Sequence, residues 1–360
     1  MFNKLTVFFH KPLGRFLFVV VSLCIFILVA TMWIKEESYN DLMKPIYTGL
    51  TPEQPERDIY IGFWTHGLWD DETKSLHPDR LEKLESEIGK KVAIANYFRG
   101  WQFLESENII MELNTLSNSG WRPMVSANPY FFKDCTAPKG MTLYKAIWLG
   151  HCDELLHRIA RNFKQVEKPF FLRFAWEMNV GSMEWSISET GSYPQEFINA
   201  WKRFHDIVKE EGATNVIWVF SPQVETPTTT DIAALYPGDD YVDWVALDGY
   251  NWGETRSWSN WQSFKDIFYK SYIKLHELAP SKPFMIAEVN TVDKGGDRGA
   301  WYKQMLSEEI PNDFPEIDAI VFFNEDKTEE EGINWLIDNT PTSLEQFKQG
   351  ISSPIYKSKF

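Results

Sequence analysis

The sequence predicts an α/β protein, a (β/α)8 TIM barrel preceded by a single N-terminal transmembrane helix, and three observations carry that prediction. From about residue 58 onward, eight short, continuously apolar runs alternate with longer amphipathic ones over about 300 residues. No Gly-x-Gly-x-x-Gly follows the first run, where Gly62 and Gly67 stand alone, which argues against a doubly wound sheet. Upstream, Phe16 to Ile34 is a stretch of 19 residues without a charge.

That stretch would rise about 28 Å as a helix, close to the hydrocarbon thickness of a bilayer. It is longer than the apolar core of a signal peptide, and Val29-Ala30-Thr31 makes a poor cleavage site, so an uncleaved anchor is expected, with secretion after cleavage as the alternative. Lys4, Lys11 and Arg15 precede the run, whereas Lys35 is followed at once by Glu36 and Glu37, which predicts a cytoplasmic segment 1–15 and places the rest of the chain outside. Residues 35–57, polar and punctuated by Pro45, Pro52 and Pro55, read as a linker, and residues 58–360 as the barrel domain.

Composition narrows the partners. The chain has 360 residues, 44% hydrophobic and 16% aromatic, and its 36 Lys and Arg against 51 Asp and Glu give a net charge of −15. The 35 N-terminal residues carry +4, so the remainder carries −19, a surface that repels nucleic acid. Three cysteines exclude a disulfide-dense scaffold and a four-thiolate zinc site. Export would permit a disulfide between Cys135 and Cys152, although two buried free thiols fit the spacing equally well.

The expected strands are Asp58 to Trp64, Lys91 to Tyr97, Arg122 to Ala127, Pro169 to Phe174, Asn215 to Phe220, Trp244 to Asp248, Pro283 to Ala287 and Asp318 to Phe323. Each is apolar along its whole length, as parallel strands covered by helices are. Between them, Glu105 to Ser119, Leu143 to Gln165, Pro194 to Glu211 and Trp261 to Leu278 have helical periodicity, with Gly or Pro at most junctions.

In such a barrel the polar residues just beyond each strand form the site. The fourth run ends in Arg173-Phe-Ala-Trp176-Glu177-Met-Asn179 and the seventh in Glu288-Val-Asn290, so two glutamates reach one mouth. A carboxyl pair flanking a glycosidic bond can protonate the leaving oxygen and attack the anomeric carbon or activate water. Trp64 and His66 follow strand one; Tyr97, Arg99 and Trp101 strand two; Tyr130 strand three; and Asp248, Tyr250, Asn251 and Trp252 strand six. Indole platforms with carboxylate and amide neighbours suit sugar rings, which present apolar faces edged by hydroxyls. No metal or cofactor is expected: His151 and His157 are six residues apart on one predicted helix, on different faces, and neither a phosphate-cradling loop nor a Gly-x-Ser-x-Gly elbow is present.

Four blocks, Arg173 to Asn179, Tyr236-Pro-Gly-Asp through Asp248-Gly-Tyr250-Asn-Trp252, Lys282-Pro-Phe-Met-Ile-Ala-Glu288 and Phe322-Phe-Asn324, resemble those of glycoside hydrolase family 26, the β-mannanase family of the retaining clan A. The resemblance implies Glu177 as acid/base, Glu288 as nucleophile, Arg173 near the nucleophile and Tyr250 donating to it. The strand-end positions and the resembling blocks together give Trp64, Trp101, Arg173, Trp176, Asn179, Trp185, Asp248, Tyr250, Trp252 and Asn324 as the expected substrate-binding residues. The chain departs from the pattern where Trp176 replaces the histidine usual before the acid/base, and where Ser182 and Met183 stand in place of an aromatic floor. Its Phe-Asn-x-Asp-Lys ending of strand eight also resembles anchored, exopolysaccharide-associated relatives. The expectation is a membrane-anchored retaining endo-β-glycosidase acting on β-mannan, mixed-linkage β-glucan or an exopolysaccharide. A carbohydrate-binding pseudoenzyme and a transglycosylase are the alternatives.

Overall fold

Eight parallel strands close on themselves in the computed structural model, which describes residues 57–70 and 73–360. The expected cytoplasmic segment, the apolar anchor and all of the linker except Arg57 lie outside the described residues. Among the described residues, no helix is long and apolar enough to cross a membrane. The strands are β1 Ile59–Thr65, β2 Ile94–Gly100, β3 Arg122–Asn128, β4 Phe170–Phe174, β5 Val216–Phe220, β6 Trp244–Asn251, β7 Phe284–Thr291 and β8 Ile317–Asn324. Each pairs in parallel with the next, and β8 returns to β1 with Tyr60 opposite Ala319 and Thr65 opposite Asn324.

Closure explains why the strand sequences are apolar on both faces. One set of side chains, including Ile94, Met124, Phe171, Val219, Ala246, Met285 and Val321, forms a compact cluster of its own in the barrel interior, while the other set packs outward under the helices. Gly62 belongs to the interior because a Cβ there would lie 2.6 Å from the Ile94 Cβ. At the strands' N-terminal end, Phe360 stacks on Tyr60 at 3.9 Å and lies 5.8 Å from Phe171, plugging the bottom.

Among the described residues, seven α-helices of seven residues or more cover the barrel: α1 Pro78–Ile88, α2 Asn108–Asn118, α3 Asp153–Lys164, α4 Pro194–Glu211, α5 Phe264–Leu278, α6 Arg298–Gln304 and α7 Pro341–Ile351. Helix α4 shows how local sequence sets them. Pro194 occupies its first turn, the Glu196 carboxylate accepts the Tyr193 N–H at 3.1 Å, and Gly212 at φ +81° ends it. Phe197, Ala200, Trp201, Phe204, Ile207 and Val208 recur at three- and four-residue intervals and are buried against the sheet.

Three expectations need correction. No α-helix follows β5 among the described residues. Two 3₁₀ turns, Ile232–Ala234 and Asp239–Tyr241, take its place, because Pro222, Pro227 and Pro237 remove donors while the hydroxyls of Thr226 and Thr229 bond to nearby backbone. The run Leu143 to Gln165 is not one helix but Leu143–Trp148 followed by α3, broken where Gly150 adopts φ +87°. Just beyond the break, Cys152 forms a disulfide with Cys135, which resolves the two thiol alternatives. Strand β2 begins three residues later than expected, since the Val92 N–H is taken by the Glu85 carboxylate at 2.9 Å, and Tyr97 and Arg99 therefore lie within the strand.

Candidate active site

The mouth at the C-terminal ends of the strands is built by two local departures from regular sheet. Beyond β4, Ala175 and Glu177 both adopt left-handed backbone, φ +51° and +52°, which costs a non-glycine residue about 1–3 kcal/mol each. Neighbouring strands hold them there: the Ala175 N–H donates to Ala127 O at 2.7 Å and the Glu177 N–H to Ser221 O at 2.8 Å. The second departure is in β7. Against β6 the register steps from Leu247–Ile286 to Asp248–Glu288, and against β8 from Ile320–Ile286 to Phe322–Val289. Both partners thus meet one extra residue of β7 at Ala287–Glu288, a bulge that re-aims the glutamate.

Around Glu288, Arg173, Asp248 and Ser221 are fully buried and Tyr250 is partly so. One carboxylate oxygen accepts the Arg173 Nη2 donor and the other accepts the Tyr250 hydroxyl. Arg173 Nη1 donates to Asp248 at 3.2 Å, and the Ser221 hydroxyl donates to both Asp248 oxygens at 3.0 and 3.1 Å. Burial alone would lower the Arg173 pKa, but Asp248 and Glu288 outweigh it and raise it, so the guanidinium stays charged. Burial, then the charges of Glu288 and Glu177, push the Tyr250 phenol well above its ordinary range and keep it a donor. Burial likewise pushes the Asp248 carboxyl up, against the pull of Arg173.

Glu177 is placed differently. Among the described residues no side chain donates to its carboxyl, and burial, followed by the negative charge of Glu288, pushes its pKa up to about 8. Arg173 and Lys327 pull in the opposite direction without cancelling this. One site therefore holds a carboxylate fixed by two donors and a carboxyl that keeps its proton at neutral pH, the division of labour that acid and nucleophile require.

Trp64, Trp176, Glu177, Tyr250, Trp252 and Glu288 line one cleft of about 1220 Å³, together with His66, Ser182 and Met183. Arg173 and Asp248 lie beneath it, and the ring of Trp176 covers the Arg173 guanidinium at 5.5 Å. Asn179 faces away from the cleft and clamps Gln223 through two bonds of 2.9 Å, one to its carbonyl and one from its N–H. Trp185 packs behind Trp176 and donates to its carbonyl at 2.7 Å. Asn324 ties loops together, donating to the Thr65 hydroxyl at 3.1 Å and accepting the Ile337 N–H at 2.8 Å. Trp101 is not at the mouth: the short helix Trp101–Leu104 tucks its indole into the core, where it donates to Tyr130 O at 2.8 Å.

The cleft also recruits Trp69, Phe98, Gln223, Phe323, Glu325 and Trp335, which sequence reasoning passed over. Phe98 touches Trp64 and Trp176, each at 5.2 Å between ring centroids, and shifting the expected second strand by three residues would have exposed its role. Glu325 accepts the Trp64 indole N–H at 2.7 Å and pairs with His66. Trp335 lies in a polar stretch beyond the eighth strand and is drawn back by its N–H to Glu325 O, 2.9 Å, a contact with no local signal.

Comparison with known proteins agrees with the barrel fold. Residues 144–314 match the model of Glycosyl hydrolase family 26. The chain is 29% identical over 269 residues to Endoglucanase H of Acetivibrio thermocellus, covering 74% of this chain but only 28% of that protein. It is 29% identical to a mannan endo-1,4-beta-mannosidase of Bacillus subtilis, covering 68% of this chain and 69% of the relative. A GH26 beta-mannanase structure from Bacteroides ovatus superposes with a TM-score of 0.60 at 15% identity, over 84% of this chain and 90% of its own, and supports the fold. The chain is thus similar in fold and in sequence to glycosidases that act on O-glycosyl bonds.

Proposed function

We propose that the protein is a retaining endo-β-glycosidase that cleaves a β-linked polysaccharide, with Glu288 as nucleophile and Glu177 as acid/base. The observation that carries the reading is the contrast between the two carboxyls: Glu288 is held by Arg173 and Tyr250, whereas Glu177 is buried with its pKa at about 8. In the first step the Glu288 carboxylate attacks the anomeric carbon as the bond to the departing oxygen breaks, and Glu177 gives that oxygen its proton. The ester then formed removes the Glu288 charge, the second cause of the raised Glu177 pKa after burial, so the Glu177 pKa falls and its carboxylate becomes easier to form. Glu177 next takes a proton from water as the water oxygen displaces Glu288 from the sugar.

Assays of β-mannan, mixed-linkage β-glucan, β-1,3-xylan and a host exopolysaccharide test the reading, with Glu177→Gln and Glu288→Ala beside the wild type. Cleavage in the wild type and its loss in both variants is expected; undiminished cleavage in both would refute the assignment. Saturable binding without turnover would leave a glycan-binding protein, and products longer than the substrate a transglycosylase. We also propose that residues 16–34 hold the chain in the cell membrane with the barrel outside the cytoplasm. Recovery of the intact chain in the soluble fraction would overturn that part alone.

A further inference from the structure

One large aromatic stands out from the ordinary fate of indoles: Trp258 is 69% exposed, although every other tryptophan on its side of the mouth is packed. It is not isolated. Its ring lies 5.5 Å from that of Trp252, which lies 6.1 Å from Tyr250 and 5.1 Å from Trp335, and Tyr250 in turn donates to Glu288. Trp258 is thus joined through successive ring contacts with Trp252 and Tyr250 to the donor of the proposed nucleophile.

The loop that carries Trp258 is pinned at several points. Gly253 adopts φ +49° where a Cβ would run into the Lys294 carbonyl oxygen, so the loop lies directly against the chain beyond β7. The Glu254 N–H donates to that same carbonyl at 2.9 Å, and the Ser259 hydroxyl donates to Gly253 O at 2.7 Å. Arg256 donates to Glu331 O at 3.0 Å while its guanidinium sits 5.5 Å from the Trp252 ring. An indole held out by a fixed loop loses little freedom on binding, and its ring adjoins that of Trp252, which lines the cleft.

We infer that Trp258 is an outer glycan subsite: it stacks on the apolar face of a sugar unit of the same β-linked chain, beyond the units held in the cleft. The inference rests on the proposed function for the identity of that chain. Its consequence is a preference for long substrates over short ones.

The test uses the full-length protein, wild type, Trp258→Ala and Trp258→Phe, on an oligosaccharide ladder prepared from whichever of the four polysaccharides is cleaved. Trp258→Ala should lower kcat/KM on the polymer about three- to tenfold, mainly through KM, leave the shortest cleaved oligosaccharide unchanged, and be largely restored by Trp258→Phe. No loss on the polymer, or an equal loss on every length, would overturn the subsite while leaving the glycosidase reading intact. Electrophoresis through gels containing each polysaccharide separates the two ideas in the other direction. If the wild type is retarded but cleaves nothing, and Trp258→Ala abolishes the retardation, the subsite stands and the glycosidase reading falls. If no polysaccharide is cleaved or retards the wild type, both fall.

Discussion

Replacing Glu177 with Gln should stabilise the protein, and by an amount that grows with pH. The fold raises the Glu177 carboxyl from an ordinary 4.5 to about 8, so the folded chain keeps a proton that the unfolded chain releases. The stability associated with that proton is fully present below about pH 4.5 and is lost as pH rises toward about 8. At 1.36 kcal/mol per pKa unit, ionisation of the unfolded chain costs the wild type roughly 1 kcal/mol at pH 5 and roughly 3 kcal/mol at pH 7. Gln has no proton to lose, so this contribution is absent from the variant. At about 1.5 °C per kcal/mol for a domain of about 300 residues, the melting-temperature gap between variant and wild type should widen by about 3 °C between pH 5 and pH 7. Paired thermal melts by circular dichroism at pH 5, 6 and 7 measure it, and in a Glu288→Gln background the widening should shrink, because Glu288 is one cause of the shift. A gap that stays constant with pH, or narrows, would refute the claim that Glu177 is held protonated by the fold.

The same proton sets the alkaline limb of activity: kcat/KM should fall as pH rises through about 8, where the free enzyme loses its acid, and a limb set instead near pH 5 would contradict the assignment. Tyr250→Phe removes one of the two donors to Glu288 and should lower kcat on the order of 10²-fold with little change in folding, measured on the best substrate of the panel. The Cys135–Cys152 disulfide closes a loop with a sequence separation of 17, so the double Ala variant should lose about 3 kcal/mol in urea denaturation, while the cleft, which neither cysteine lines, keeps its activity in the folded protein.

Much of the fold was legible because its signals are local. A strand covered on both faces must be apolar throughout, so the eight runs announced themselves, and barrel geometry then brought residues just past β4 and in the C-terminal half of β7 to one mouth. Where the signal needs a partner from elsewhere in the chain, it was not legible. The shifted second strand depends on Glu85 claiming the Val92 N–H, and Trp101 sits in the core with its indole bonded to Tyr130 O, whereas the missing fifth helix reflects a local signal, prolines and threonines that compete with helical bonding.

The sequence by itself determined which residue types could meet at the mouth: two glutamates, an arginine, a tyrosine and a surplus of indoles, each tied to the end of an apolar run. Only the tertiary structure decided what each of them is. The bulge in β7 and the left-handed turn after β4 orient Glu288 and Glu177, and both are held by hydrogen bonds and register from neighbouring strands. The difference between a carboxylate braced by Arg173 and Tyr250 and a carboxyl buried without a donor is a matter of surroundings. A pKa depends on the groups that surround a side chain in space, and those come from strands far apart in the sequence.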